Sequence, residues 1–515
     1  MSTITVQRVL LGSPTILIAA FLAAGCSLAP EYKVPRVVNS AAFKEAQVKA
    51  TTAGTEGEAG TWKIAQPSDQ IPRGKWWVIF DDAFLNDFEY QALTANQDLA
   101  AAAARLREAR AVQQATRANL FPTIGAGFGP TREKASPASQ FEPDGVDVPA
   151  QTLWRAQATA SYEADLFGRV SDAVKASRAE SEKSEALLRS VQLALQADVA
   201  ANYFTVRDLD AQLQVYAQNV SLREQALRLV QSKFGAGDIA ELDVARARAE
   251  LATARSDSMT AQRQRAVAEH SLAVLLGKAP SEFSMAANPL QPVQIRIPPG
   301  LPSALLERRP DIAAAERAMA AANARIGVAK AAYFPSLTIT GSAGFESATL
   351  GDLFKWSSRA FVLGPLVGTA LTVPIFDGGS RAGNLANARA VFQEAGANYR
   401  QLVLKAFKEV EDNLSDLRIL EEQTQTQNEA VQASTRAAHI SRTQYREGAV
   451  NYLDVIDADR TVLQSQLTAV QLSGVQAVAT VNLVRALGGG WGDAVTMGSA
   501  DTQQKSGFHA VAANR

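Results

Sequence analysis

Phe234-Gly235-Ala236-Gly237, followed by Leu242-Asp243-Val244, returns 211 residues later as Tyr445-Arg446-Glu447-Gly448, followed by Leu453-Asp454-Val455. Leu276-Gly277 recurs as Leu487-Gly488 at the same offset. Upstream, Asn119-Leu120-Phe121-Pro122 recurs as Ala332-Tyr333-Phe334-Pro335, displaced by 213. A slip of two residues between these offsets implies one structural unit used twice, with insertions confined to loops.

The repeated stretch sits at the end of a long apolar seam. Between Leu188 and Phe234 apolar residues recur with one polar step, at Arg223 and Glu224, and cover 46 residues in 13 steps. That is close to the 3.5-residue period of left-handed helix packing. A continuous helix over residues 167–234 would run ~100 Å at 1.5 Å per residue, and residues 380–445 supply its counterpart. Each turns at a glycine (Gly237, Gly448) suited to a left-handed C-terminal cap. Each returns through a shorter helix ending near Gly277 or Gly488. Arg309-Pro310-Asp311 marks another helix start, with proline at the first turn and a carboxylate behind it.

Strand signals interrupt the helices. Ile124, Ala126 and Phe128 alternate with Thr123, Gly125 and Gly127. After a polar loop (131–150), Trp154, Ala156, Ala158, Ala160 and Tyr162 alternate with Arg155, Gln157, Thr159, Ser161 and Glu163. Strict period two with aromatic residues at both ends suits a strand that faces lipid on one side and a lumen on the other. The second repeat offers Leu337, Ile339 and Phe345, then residues 361–376, where Gly364 and Pro365 weaken the pattern. Four strands cannot close a barrel, which needs about eight, and open edges in lipid leave backbone groups unpaired. A cyclic assembly sharing one barrel satisfies every edge. The expected fold is therefore mainly α with a β part, a duplicated long-helix unit whose function is a passive conduit.

Composition agrees. The 515 residues carry 51 Lys+Arg against 52 Asp+Glu, so no global field draws the chain to nucleic acid. Three histidines (His270, His439, His509) and one cysteine leave little for a metal site. No Ser/His/Asp set or phosphate-cradling loop stands out, since Gly488-Gly489-Gly490 ends a helix; the chain reads as no enzyme, with no cofactor expected. Residues 15–24 form a short apolar stretch, and Ala23-Ala24-Gly25 precede Cys26. This reads as a lipoprotein signal, cleaved so that Cys26 carries the lipid. Ser27 follows where a retention-type aspartate would argue for the inner membrane. No later segment offers ~18 consecutive apolar residues, so no transmembrane helix is expected.

The expected divisions are a signal peptide (1–25), a lipidated tether (26–78), a first repeat (79–301, strand pair about 122–164), a second repeat (302–490, strand pair about 335–376) and a polar tail (491–515).

Leu306-Glu307-Arg308-Arg309-Pro310-Asp311-Ile312, running on through Ile326-Gly327 to Phe334-Pro335, resembles the outer membrane efflux duct family of TolC-like outer membrane factors. So do Cys26-Ser27-Leu28-Ala29-Pro30 with Tyr32, and Asn451-Tyr452-Leu453. The similarity covers residues 26–490 and is nearest the OprM/NodT-type lipoprotein branch. It implies a homotrimeric α-helical barrel topped by a shared 12-stranded transmembrane β-barrel, four strands per chain. It implies the outer-membrane channel of a tripartite efflux system carrying small molecules, lipid-anchored and reaching far into the periplasm. Its partners would be a periplasmic adaptor and an inner-membrane pump; a protein-secretion duct is the alternative, and a periplasmic coiled-coil scaffold a more distant one.

In that family the periplasmic tips form a gate, mapping here to residues 233–244 and 444–457. Leu453, Asp454 and Asp457 match its constriction, an apolar ring beside an acidic one. Asp454 and Asp457 lie three apart on a helix and share a face; capping a helix N-terminus is the other role open to them. Tyr445 and Asp243 match a gate-locking hydrogen-bond pair, and Gly237 and Gly448 mark the tips that an adaptor would contact.

Overall fold

The computed structural model describes residues 27–35, 42–45, 75–141, 143, 145–291, 308–364 and 371–489. The expected signal segment, Cys26 and the C-terminal tail lie outside these residues. Contacts divide the chain into two compact units, each drawing on both repeats. Unit 1 holds residues 105–184 and 315–399 with the N-terminal 27–35. Unit 2 holds the described parts of 36–104, 185–314 and 400–489.

The helices keep the duplication almost residue for residue. Two helices of 67 residues, α3 (Arg169–Gly235) and α6 (Ser380–Arg446), each precede a helix of 35 residues, α4 (Glu241–Leu275) and α7 (Tyr452–Ala486). Both returns end on a left-handed glycine, Gly277 and Gly488. The first repeat opens with α1 (Ala83–Ala95) and α2 (Gln97–Ala118), and the second with α5 (Pro310–Ala331). The sequence suggests one helix over 83–118; it breaks instead at Asn96. That side chain accepts from Leu99 N–H and donates to Leu275 O, so it starts one helix while closing the end of α4.

Unit 1 carries a single antiparallel sheet. Strands β1 (Thr123–Glu133), β2 (Gln151–Ala164), β3 (Ser336–Ser347) and β4 (Arg359–Leu363) pair in that order, and β5 (Leu371–Thr372) also pairs with β3. Ala156 lies opposite Phe128 and Phe345, and Ala160 opposite Ile124 and Gly341. The register therefore puts Ile124, Phe128, Trp154, Tyr162, Ile339, Phe345, Phe361 and Leu363 on one face, because side chains alternate along every strand. Ile124 is 80% exposed and Phe361 82%, an apolar face left open among the described residues. The opposite face is polar. There Arg155 bridges Glu346 (2.7 Å) and Glu133 (2.9 Å) across three strands.

The fourth strand departs from its expected continuous run. Gly341 pairs with Leu363 and Leu337 with Leu371, so four residues separate the first pair on β3 and eight on the partner. A register slip of four occurs beyond Gly364, whose φ of +136° only glycine tolerates readily.

Unit 2 is built on a core of Trp76, Leu85, Phe88, Tyr203, Phe204, Leu272, Leu276, Val481 and Val484. The motif Arg309-Pro310-Asp311 opens α5 as expected and also closes α7. Arg309 grips Asp311 with two nitrogens (3.0 and 2.7 Å), pairs with Glu409 (2.5 Å) and donates to Ala486 O at 3.2 Å. A cation there complements the negative end of a helix. By length and composition α7 is apolar enough to cross a membrane, but half of its most apolar window is buried, as befits a core helix. Within the segment expected as a tether over 26–78, Phe43 is buried against Val410 and Leu487, and the Glu411 carboxylate accepts from the N–H groups of Lys44 and Glu45.

Candidate functional site

The repeated glycines close both helical hairpins of unit 2 in the same way. Gly237 N–H donates to Phe234 O and Asp238 N–H to Lys233 O; Gly448 N–H donates to Tyr445 O and Ala449 N–H to Gln444 O. This is the paired-bond C-terminal cap, with φ of +82° and +77° at the two glycines. Any other residue would strain there. Neither glycine would gain a clash from a Cβ, so backbone conformation alone accounts for it.

The two hairpins are joined by one apolar cluster of Val230, Val244, Ala247, Tyr445, Tyr452, Val455 and Ile456. The α7 register follows from it. With Tyr452, Val455, Ile456 and Asp459 turned inward, Leu453, Asp454 and Asp457 are all exposed along one stripe. The structure thus brings together the three residues expected at the constriction. Asp454 has a further contact, accepting the Asn451 N–H at 3.1 Å. A capping role and an outward position hold at once.

Tyr445 and Asp243 meet only partly. Tyr445 is 6% exposed, packs against Tyr452 with the rings tilted by 48° and their centres 5.4 Å apart, and lies beneath the Lys233 ammonium, 4.6 Å from the ring centre. Among the described residues its hydroxyl has no hydrogen-bond partner, while Asp243 faces Arg246 at 3.5 Å. The expected Tyr445–Asp243 hydrogen bond is absent from this arrangement. The two remain close enough that Asp243, after burial itself, raises the Tyr445 phenol above its ordinary pKa. Burial likewise pushes Tyr452 up to about 12.

Behind the tip lies a group that the sequence reading missed. Arg223, 3% exposed on α3, approaches Glu250 of α4 at 3.5 Å and Asp459 of α7 at 3.6 Å. Arg442 of α6 holds Asp459 at 2.6 Å, and Arg460 pairs with Glu250. All four helices contribute to one ionic network, with Arg223 and Asp459 buried at its centre. Breaking such a network by removing one member strands the remaining charge. The sequence carried one trace of it, the polar step at Arg223 in an otherwise apolar seam.

The outer membrane efflux protein family model matches residues 89–278 and 301–489. The chain is 34% identical over 468 residues to the toluene efflux pump outer membrane protein TtgF of Pseudomonas putida, covering 91% of this chain and 94% of that one. It is 31% identical over 472 residues to the cation efflux system protein CusC of Escherichia coli K12, with 90% and 96% covered. Among solved structures it resembles the outer-membrane channel OprN, with a TM-score of 0.78 at 31% identity over 90% of this chain and 100% of that one. Duplicated hairpins, an apolar-faced sheet and matches across both repeats place this chain in the outer membrane efflux protein family.

Proposed function

We propose that three copies of this outer-membrane efflux channel protein close one duct, with a gate at the helical tips and an adaptor and a pump as its partners. The observation that carries this is the sheet. It exposes an apolar face and ends on β1 at one edge and on β4 and β5 at the other. In lipid those edges require strand partners, and β1 of one copy beside β4 of the next supplies them around a ring. Three sheets counted as four strands each reach the dozen that leave a lumen wider than side chains fill. The polar face with Arg155, Glu133 and Glu346 then lines that lumen.

At the helical tips Leu453, Asp454 and Asp457 of three copies form an apolar ring beside an acidic one, which favours cations at the constriction. The adaptor contacts the hairpin turns at Gly237 and Gly448, a reading supported by the shared caps there. Cys26 carries the lipid, so a second anchor joins the barrel in the outer membrane. The cargo is small molecules, supported by relatives named for toluene and for cations.

Planar-bilayer conductance of the detergent-extracted protein, with its mass determined in parallel, tests the reading. Discrete cation-preferring channels from a species of three protomers are expected. A non-conducting, water-soluble monomer overturns it.

A further inference from the structure

The two faces of the sheet treat arginine differently. On the polar face Arg155 is shared between Glu133 and Glu346. On the apolar face stand Arg132 of β1 and Arg359 of β4, both exposed. Alternation puts Arg132 on the side of Phe128, and Arg359 lies directly opposite Phe345. Among the described residues neither arginine pairs with a carboxylate. Lys134 and Lys355, close by in sequence, are bridged to Asp147 and Asp352.

Both arginines sit at one depth. The helices join the sheet at one end, where α2 leads into β1, β2 into α3 and α5 into β3. Arg132 is nine residues from that end of β1, and Phe345, the partner of Arg359, is nine residues from that end of β3. Nine steps of ~3.3 Å on a strand tilted ~40° climb about 23 Å, close to the ~25 Å apolar band of membrane barrels. The strands therefore carry both cations to the far interface, in the leaflet away from the helices.

Aromatic rings surround the same level. Phe354 packs edge-on against Phe345 at 5.5 Å, and Phe128 stacks on Trp154 at 6.0 Å. Trp356 is 78% exposed, and the Arg359 guanidinium lies over its ring while Nε donates to Trp356 O at 3.1 Å. These two contacts hold Arg359 at the aromatic level instead of letting it extend into water. One N–H of the guanidinium is used, which leaves the two terminal nitrogens, a fork that matches phosphate oxygens. A cation without an anion is costly at a lipid surface, and phosphate is the anion that a lipid headgroup supplies there.

We infer that Arg359, seated on Trp356, and Arg132 each bind the phosphate of an acyl lipid whose chains lie on the apolar face of the sheet. This rests on the reading above that the sheet stands in the membrane. The arginines belong to opposite edge strands, β4 and β1, so each takes its own headgroup.

The test titrates the full-length, detergent-extracted protein and counts bound molecules per protomer by native mass spectrometry. The probes are dioleoyl phosphatidic acid, dioleoylglycerol, which has the same chains and no phosphate, and inorganic phosphate. Two phosphatidic acids per protomer are expected, held about tenfold or more tighter than dioleoylglycerol and not displaced by equimolar inorganic phosphate. Arg132→Gln and Arg359→Gln should each remove one, and the double variant both. Arg359→Lys keeps the charge without the fork, so its lipid should remain, bound several-fold more weakly. Variants are compared only in species of wild-type oligomer mass, so a failure to assemble is not counted as lost lipid. Equal affinity of the wild type for the two lipids overturns the site. A preference that survives in the double variant overturns its assignment to these residues, and displacement by inorganic phosphate overturns the lipid as its ligand. Phosphatidic acid preference in a species of one protomer overturns the trimeric duct and upholds the site; trimers without the preference overturn the site alone.

Discussion

The two hairpin turns of unit 2 have the same backbone and opposite chemistry. Both end a 67-residue helix on a left-handed glycine and return through a 35-residue helix. Yet the pair Asp243 and Arg246 of the first turn stands where the second has Asp454 and Asp457, at the 211-residue offset. The first turn neutralises itself, with Arg246 at 3.5 Å from Asp243. The second leaves two carboxylates exposed. The ionic network behind the tips is equally one-sided: Arg223, Glu250 and Asp459 fall opposite Ser434, Thr461 and Arg248 in the other repeat. Duplication kept what the backbone requires, and side-chain chemistry diverged where one repeat took on a role of its own.

The largest expected effect is at the network. Arg223→Met leaves Glu250 and Asp459 short of a buried partner and should cost about 3 kcal/mol, the low end for a broken buried pair because Arg442 and Arg460 remain. Ser434→Ala, at the counterpart position, should stay within about 0.5 kcal/mol. Chemical unfolding of both variants measures the contrast, and equal losses would break it.

Next comes Asp457→Arg, which copies the first turn into the second. The cation-over-anion permeability ratio of the reconstituted pore should drop by roughly tenfold. Replacing both Asp454 and Asp457 with alanine should give a smaller drop and weaken block by cations. An unchanged ratio in either variant would remove the acidic ring from the gate.

Gly237→Ala and Gly448→Ala should cost alike, about 1 kcal/mol each, since the conformation and the empty surroundings are shared. Unequal losses in a denaturant titration would show that one turn has a contact the other lacks.

Asp208 gives a pH-dependent difference, its counterpart being Ile419. Burial against Gly474 raises the Asp208 carboxyl to about 6, with Gln212 opposing. A folded pKa above the unfolded value of about 3.9 means the contribution is fully present below pH ~4 and is lost as pH rises to ~6. Partial exposure holds the loss to the order of 1 kcal/mol. Thermal melts of Asp208→Asn should lack that decline and exceed wild type above pH 6. Smallest is Tyr445→Phe, expected within about 0.5 kcal/mol because the hydroxyl has no partner. A larger loss in the assembled protein would mean that the Asp243 hydrogen bond forms there.

Much of this fold was legible because helices and strands announce themselves by period. The seam ending at Phe234, the glycine turns and the alternation over 154–163 gave element type and length to within a few residues. The exposed stripe of Leu453, Asp454 and Asp457 was legible for the same reason, since these positions share a helix face whatever they touch. The break at Asn96 and the slip in the fourth strand were harder to see. Each is imposed by a distant partner, Leu275 O in one case and the β3 register in the other.

By itself the sequence determined the duplication, the helical hairpins, the apolar sheet face and the acidic doublet, all of them properties of residues near one another along the chain. Only the tertiary structure decided that Arg223 is buried among Glu250 and Asp459, that the Tyr445 hydroxyl stands unpartnered, and that Arg155 is shared between Glu133 and Glu346. Such contacts join residues tens to hundreds of positions apart. A charge or a missing side chain states its own chemistry in a sequence, but its partner is chosen by packing.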